Sequence, residues 1–138
     1  MERLVETIAK LSGMLVLEEE AAKEQFHLSE LTFNQMHYLE VINLLINPSI
    51  TELAISLKLT KPTVTVAVDK LIEKDYVFKV KSDIDRRSAH LHLTEKGNLI
   101  NRMHDYAHRR IVESILKKIN KEDTKQLIII LTKVFNEK

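Results

Sequence analysis

The sequence predicts a mostly α-helical protein with one short β-hairpin. Apolar residues recur at helical spacing along most of the chain, and a period of two is confined to residues 77–93. The 138 residues include only two glycines and two prolines, too few for the many turns of an all-β protein. With 44% hydrophobic and 30% charged residues, the composition is that of a single globular domain with its own core.

The first predicted helix runs from about Arg3 to Phe26. Its apolar stripe is followed by an acidic cluster: Leu4, Ile8, Leu11 and Leu15, then Glu18, Glu19, Glu20 and Glu24. A second helix covers the run from Met36 to Ile46, because Thr32 and Gln35 form the T-x-x-Q pattern of a capping box. It ends before Pro48, since a residue that precedes proline is disfavoured in a helix.

Two shorter helices follow at once. Ser49 and Glu52 form another capping box, and Lys58-Leu59 makes a turn. Thr60 then caps the next helix, with Pro62 in its first turn, where a missing N–H costs nothing. This helix runs to about Lys74 and is predicted to bury Val64, Ala67, Val68 and Leu71.

After Tyr76 the spacing of apolar residues changes from the helical period to a period of two. Residues 77–81 and 90–93 alternate as a short antiparallel strand pair, with His90 and His92 expected to be exposed. Thr94 starts a long helix to about Ile119, and Asn120 caps a last helix through Phe135. Three helices followed by a hairpin give the order of a winged helix-turn-helix, with the strand pair as the wing.

The chain is predicted to be one domain, residues 1–138, with two parts. Residues 31–97 form the winged helix-turn-helix lobe, and residues 1–30 and 98–138 supply dimerisation helices. The apolar stripes of these terminal helices exceed what the lobe can cover, so we expect them to form a homodimer interface: Leu4, Ile8, Leu11 and Leu15; Ile111, Ile115 and Ile119; Leu127, Leu131 and Val134. The alternative is that they cover only their own core.

Charge is divided unevenly along the chain. Residues 1–57 hold nine acidic against three basic residues, whereas residues 58–97 carry a net charge of +3. A basic middle beside an acidic first part suggests a local binding surface for a polyanion. The predicted DNA contacts on the helix that Thr60 caps are polar or basic side chains and one methyl-bearing residue: Thr60, Lys61, Thr63, Thr65, Val66 and Lys70.

The hairpin tip supplies the second predicted contact. Arg86 and Arg87 can enter the narrow minor groove, where the negative potential is strongest, and Asp85 can brace them through a charge-assisted contact. The alternative interpretations are a solvated helix face and a surface salt-bridge cluster of little energetic weight.

These motifs together resemble the MarR family of regulators, in order and spacing and over nearly the whole chain: Leu31-Thr32-x-x-Gln35, Glu52-Leu53-Ala54, Thr63-Val64-Thr65, Asp69-Lys70-Leu71, and Asp85-Arg86-Arg87 through Leu93-Thr94-Glu95-Lys96-Gly97. The resemblance implies a triangular dimer on a palindromic operator in double-stranded DNA, with the third helix of the lobe in the major groove and Arg87 in the minor groove. Most members repress nearby genes and release DNA on binding a small molecule or on oxidation. The absence of cysteine removes the thiol-oxidation route.

Several histidines of the chain suggest that the effector is a metal ion. His104 and His108 are four residues apart on one helical face, a spacing that lets both imidazoles reach one ion. With His37, they are similar to the ligands of the zinc-responsive MarR subgroup. That resemblance implies a further ligand from the end of the first helix, where the candidates are Glu19, Glu20, Glu24 and His27. Met36 stands where that subgroup has a carboxylate. The alternative is a set of histidines without metal, and the effector is then an unknown small molecule.

Other function classes find little support in the sequence. There is no nucleophile–base pair and no glycine-rich phosphate loop, so we expect no enzymatic activity. The chain lacks the pattern of a signal peptide and any apolar run long enough for a membrane span, so a cytoplasmic protein is expected. The competing hypothesis is a winged-helix module that binds proteins and not DNA, which would have little need for Arg87.

Overall fold

The computed structural model describes residues 1–84 and 88–136, which form six helices and one two-stranded antiparallel sheet. In chain order they are α1 (Glu2–Gln25), α2 (Phe33–Leu45), α3 (Ile50–Leu57), α4 (Lys61–Glu73), β1 (Val77–Lys81), β2 (Ala89–Leu93), α5 (Glu95–Leu116) and α6 (Lys121–Phe135). The predicted winged helix-turn-helix order is confirmed. No helix within the described ranges is both long and apolar enough to span a membrane.

Helix starts follow the capping residues. The Thr32 and Ser49 hydroxyls each accept the N–H three residues later, and the side chains of Gln35 and Glu52 return the bond to the cap N–H, all at 3.1–3.2 Å. Both predicted capping boxes are therefore confirmed. Because these bonds satisfy N–H groups that a helix leaves free, they determine where α2 and α3 begin.

The long helix α5 ends at Leu116, three residues before the predicted Ile119. The reason is the cap of the next helix. Asn120 is extended, with φ −92° and ψ 179°, so that its side chain can accept the Asp123 N–H at 2.8 Å. The chain therefore needs the residues between Leu116 and Asn120 to turn from one helix into the other.

The core joins the winged lobe to the terminal helices. Inside the lobe, α2, α3, α4 and β2 bury an apolar cluster, and α1 packs on α5 beside it through residues that are fully buried: Ala22, Ile100, Met103 and Ala107. Ala67 was predicted to be buried but is half-buried, because it lies at the edge of α4 that faces α2.

The connection between α2 and α3 is a sharp reversal. Ile46 and Asn47 both have φ of 56°, in the left-handed region that costs a β-branched residue about 1–2 kcal/mol. The reversal presents the Pro48 carbonyl to β2, where it accepts the Leu91 N–H at 2.8 Å. This strained turn therefore anchors the wing to the helical part of the lobe.

Candidate nucleic-acid interface

Helix α4 holds to the core by one side and presents the other to solvent. Val64, Val68 and Leu71 are completely buried, whereas Thr60, Lys61, Thr63, Val66 and Lys70 are exposed and Thr65 is half-buried. Thr60 starts the helix by accepting the Thr63 N–H, and their hydroxyl oxygens lie 2.8 Å apart. All six residues predicted to contact DNA from this helix thus lie on it or at its cap, away from the core.

An ion pair connects α4 with the wing. The Lys79 ammonium on β1 lies 3.7 Å from the Asp69 carboxylate on α4, and both side chains are partly exposed. This pair is therefore a direct contact between the wing and the outward side of the helix. The pairing could not be predicted from the sequence, because Lys79 is ten residues away on another element.

The wing is an antiparallel pair in the register Val77 to Leu93 through Lys81 to Ala89. Its histidines are half-buried, not exposed as predicted. His92 stacks on Phe78 with ring centroids 5.2 Å apart, and His90 Nδ1 lies 3.1 Å from the Asn47 carbonyl oxygen. Both imidazole rings therefore contact neighbouring segments of the chain, which is why they are not fully exposed. The predicted tip contacts fall outside the described residues: Asp85, Arg86 and Arg87.

A polar cluster ties the base of the wing to the loop before α2. The Tyr76 hydroxyl donates to Glu30, and the Lys96 ammonium lies 3.3 Å from the same carboxylate and 4.4 Å from the Tyr76 ring centroid. The hydrogen bond from Tyr76, followed by the contact with Lys96, lowers the pKa of Glu30. Burial and the bond to Glu30 raise the pKa of Tyr76. Both groups are therefore held in the states that keep this contact, an ionised carboxylate and a protonated phenol.

The start of α5 explains the motif Thr94-Glu95-Lys96-Gly97. The Thr94 hydroxyl accepts the Gly97 N–H at 3.0 Å and donates to the Asp75 carbonyl at 2.6 Å. A Cβ on Gly97 would collide with the Tyr76 carbonyl oxygen. Glycine is needed here because the backbone of α5 approaches the start of the wing more closely than a side chain allows.

Two of the candidate metal ligands, His37 and His104, lie beside a carboxylate that was not predicted from the sequence. Glu40 on α2 accepts from His104 Nε2 at 2.8 Å, and its other oxygen lies 3.9 Å from His37 Nδ1. The rings of His104 and His108 stack with centroids 6.2 Å apart. His27 is exposed at the end of α1, with φ of 58°. The signal for Glu40 was its position three residues after His37, on the same side of the helix.

This arrangement does not assemble the predicted zinc ligands. No group of three or more histidine, aspartate or glutamate side chains is placed to hold a metal ion within residues 1–84 and 88–136. Glu40 instead accepts a hydrogen bond from His104 Nε2 at 2.8 Å. Zinc binding by His27, His37, His104 and His108 stays a prediction, and it requires these side chains to rearrange.

Comparisons with known proteins agree with the fold and the motifs. The sequence profile of the MarR family matches residues 31–89. The chain is 30% identical to Streptococcus pneumoniae FabT, whose crystal structure is a complex with DNA; the two share a TM-score of 0.72 over 97% of this chain and 94% of that one. A structure of RV1404 from Mycobacterium tuberculosis, 18% identical, shares the fold with a TM-score of 0.82 over 97% and 91% of the chains.

A curated relative agrees with these matches. The chain is 30% identical over 71 residues to an uncharacterised HTH-type transcriptional regulator of Bacillus subtilis, YpoP. The match covers 51% of this chain and half the length of that relative. With the winged lobe described above, the family profile and the near full-length similarity to FabT, the chain belongs to the MarR family of transcription regulators.

Proposed function

We propose that this protein binds an inverted-repeat operator in double-stranded DNA as a homodimer and represses transcription until a small effector changes its affinity for DNA. The observation that carries the proposal is the outward side of α4, which presents hydroxyls, methyl groups and lysines next to a wing that carries Lys79 and Lys81. A helix with this composition fits the major groove, where short polar side chains read base edges and cations bind phosphates. The DNA complex of FabT supports the same use of the lobe.

The dimer is supported by apolar surface that the chain leaves uncovered. None of the α6 residues is buried, and a groove of about 310 Å³ between α5 and α6 is lined almost entirely by apolar side chains. The first half of α1 is equally exposed: Leu4, Val5, Ile8 and Leu11. Burying a half-exposed leucine or isoleucine contributes about 1 kcal/mol, so a second copy that covers these rows gains substantial stability.

DNA binding is tested with operators selected from a random duplex library, followed by affinity measurements at several salt concentrations. We expect Arg87→Ala to weaken binding at moderate salt and Lys61→Ala to weaken binding to all sequences alike. Thr65→Ala should instead change the preference among sequences. Lys10→Ala on α1 is the charge-matched control and should bind as the wild type does.

The same binding measurements also distinguish DNA binding from the competing hypothesis of a protein-binding module. A protein that binds no duplex even at low salt would refute the proposal and favour a winged-helix module that binds other proteins. Unchanged affinity of Arg87→Ala would refute the role of the wing alone.

The oligomeric state needs its own variant. Leu131→Glu places a charge in the apolar row of α6 and should convert the dimer into monomers in light scattering, with loss of operator binding. Ile55→Glu makes the same kind of change at an exposed position of α3 and should leave the mass unchanged. A wild-type protein that is monomeric at micromolar concentration would refute the dimer.

A further inference from the structure

A groove of about 300 Å³ lies beside α4, on the side away from the wing. The first two turns of α2 form one wall, with Asn34, Gln35 and Tyr38, and α4 forms the other, with Thr63 and Lys70. The groove is therefore a surface that α4 shares with α2. None of the DNA contacts predicted from the sequence came from α2.

Tyr38 is the unusual residue of this groove. Its side chain is only 2% exposed, and its hydroxyl makes no hydrogen bond to the residues that the structure describes. In those same residues no side-chain oxygen or nitrogen is both fully buried and unpaired, so the Tyr38 oxygen must reach the surface, and the groove is the opening that Tyr38 lines. Burial raises the pKa of Tyr38, so at neutral pH it keeps its proton and can donate it.

Two other side chains of the groove, Lys70 and Gln35, can also donate hydrogen bonds. Lys70 has no ion-pair partner in the described part of the chain, and no carboxylate lines the groove. Gln35 Oε1 is held by the Thr32 N–H at 3.1 Å and by the Lys74 ammonium at 3.5 Å, which leaves the amide nitrogen to donate. The N–H groups in the first turn of α2 add positive partial charge. The ligand that matches this set is an anion with several acceptor oxygens.

The groove also lies where a DNA strand would pass. A helix about 10–12 Å wide fills a major groove of about 12 Å, so one sugar-phosphate strand runs along each side of it. Asp69, which pairs with Lys79 of the wing, and Lys70, which lines the groove, are about 100° apart around α4. The wing therefore lies on one side of the exposed surface of α4, and the groove lies on the other.

We infer that the groove between α2 and α4 binds a backbone phosphate of the DNA strand opposite the wing, with the Tyr38 hydroxyl and the Lys70 ammonium as its main donors. The inference rests on the proposed DNA binding and extends it, because it assigns Tyr38, Asn34 and Gln35 of α2 to the interface. The contact carries no sequence information. It sets the depth and the angle at which α4 enters the major groove.

The test uses Tyr38→Phe, which removes the hydroxyl and no hydrogen bond within the described protein. With a selected operator and a mixed-sequence duplex, we expect affinity to fall about tenfold on both, as for the loss of a hydrogen bond to a charged group. Single phosphates of the operator are then replaced by neutral methylphosphonates. One position per half-site should weaken the wild type but weaken Tyr38→Phe much less, since the two changes remove the same contact.

Asn34→Asp is a second variant that does not depend on the packing of Tyr38. An acidic side chain in the first turn favours the helix, so the thermal midpoint should not fall, whereas a charge facing the phosphate should weaken DNA binding more than Tyr38→Phe does. Tyr106→Phe on α5 is the matched control and should bind as the wild type.

Wild-type affinity in both Tyr38→Phe and Asn34→Asp would overturn the inference and leave DNA binding intact. If Tyr38→Phe unfolds, Asn34→Asp alone decides. A wild-type protein that binds no duplex would refute the proposed function, and the phosphate contact with it.

Discussion

Gly97 allows a sharp test of how the wing is held. An alanine at this position puts a methyl group against the Tyr76 carbonyl oxygen, which also accepts the Thr94 N–H at 3.0 Å. Overpacking of this kind costs about 1–3 kcal/mol, and disturbing the hydrogen bond costs about 1 kcal/mol more. The higher helix propensity of alanine offsets about 1 kcal/mol. We therefore expect Gly97→Ala to lower the free energy of unfolding by about 2 kcal/mol.

Gly13 is the matched control because an added Cβ there meets no atom within 4 Å. It lies in the middle of α1, on the side opposite the apolar row that begins at Leu4. Gly13→Ala should therefore only gain helix propensity and raise the free energy of unfolding by about 1 kcal/mol. The same substitution is thus expected to have opposite signs at two helical glycines.

The assay is urea unfolding followed by circular dichroism, at one fixed protein concentration because dimers are stabilised by mass action. The two midpoints should move to opposite sides of the wild type with little change in slope. If Gly97→Ala were as stable as the wild type, the close approach of α5 to Tyr76 would not be what holds the base of the wing.

Three further predictions concern the turn at Ile46, the contact between Tyr76 and Glu30, and zinc binding. Ile46→Asn should raise the free energy of unfolding by about 1 kcal/mol in urea, because asparagine tolerates the left-handed backbone better; a lower midpoint would contradict the strain. Tyr76→Phe should raise the pKa of Glu30 towards 4.5 in an NMR titration and reduce the stability lost as the pH falls through the lowered pKa, whereas an unmoved pKa would refute the contact. The zinc hypothesis predicts bound zinc and a zinc-dependent operator affinity, both lost in His104→Ala; protein without zinc and without such dependence disposes of it.

The bounds of the helices and strands could be predicted because their signals are local. The hydroxyls of Thr32, Ser49, Thr60 and Thr94 cap helices through N–H groups three residues away, and the alternation after Tyr76 determines the strand pair within one short segment. The outward side of α4 was predictable for the same reason. The end of α5 was misplaced by three residues, because the cap of the next helix takes precedence over the apolar period of the last turn.

Contacts between distant segments were decided by tertiary structure. Nothing near His104 in the sequence indicates that Glu40, 64 residues earlier, takes up its nitrogen, and Tyr38 reads as an ordinary core residue until α4 packs beside it. Periodicity reports which side of a helix is apolar, but it does not report which helix lies opposite. The amino-acid pattern therefore determined the elements and their exposed sides, whereas the ion pairs, the anchored wing and the α2–α4 groove depend on how the helices pack together.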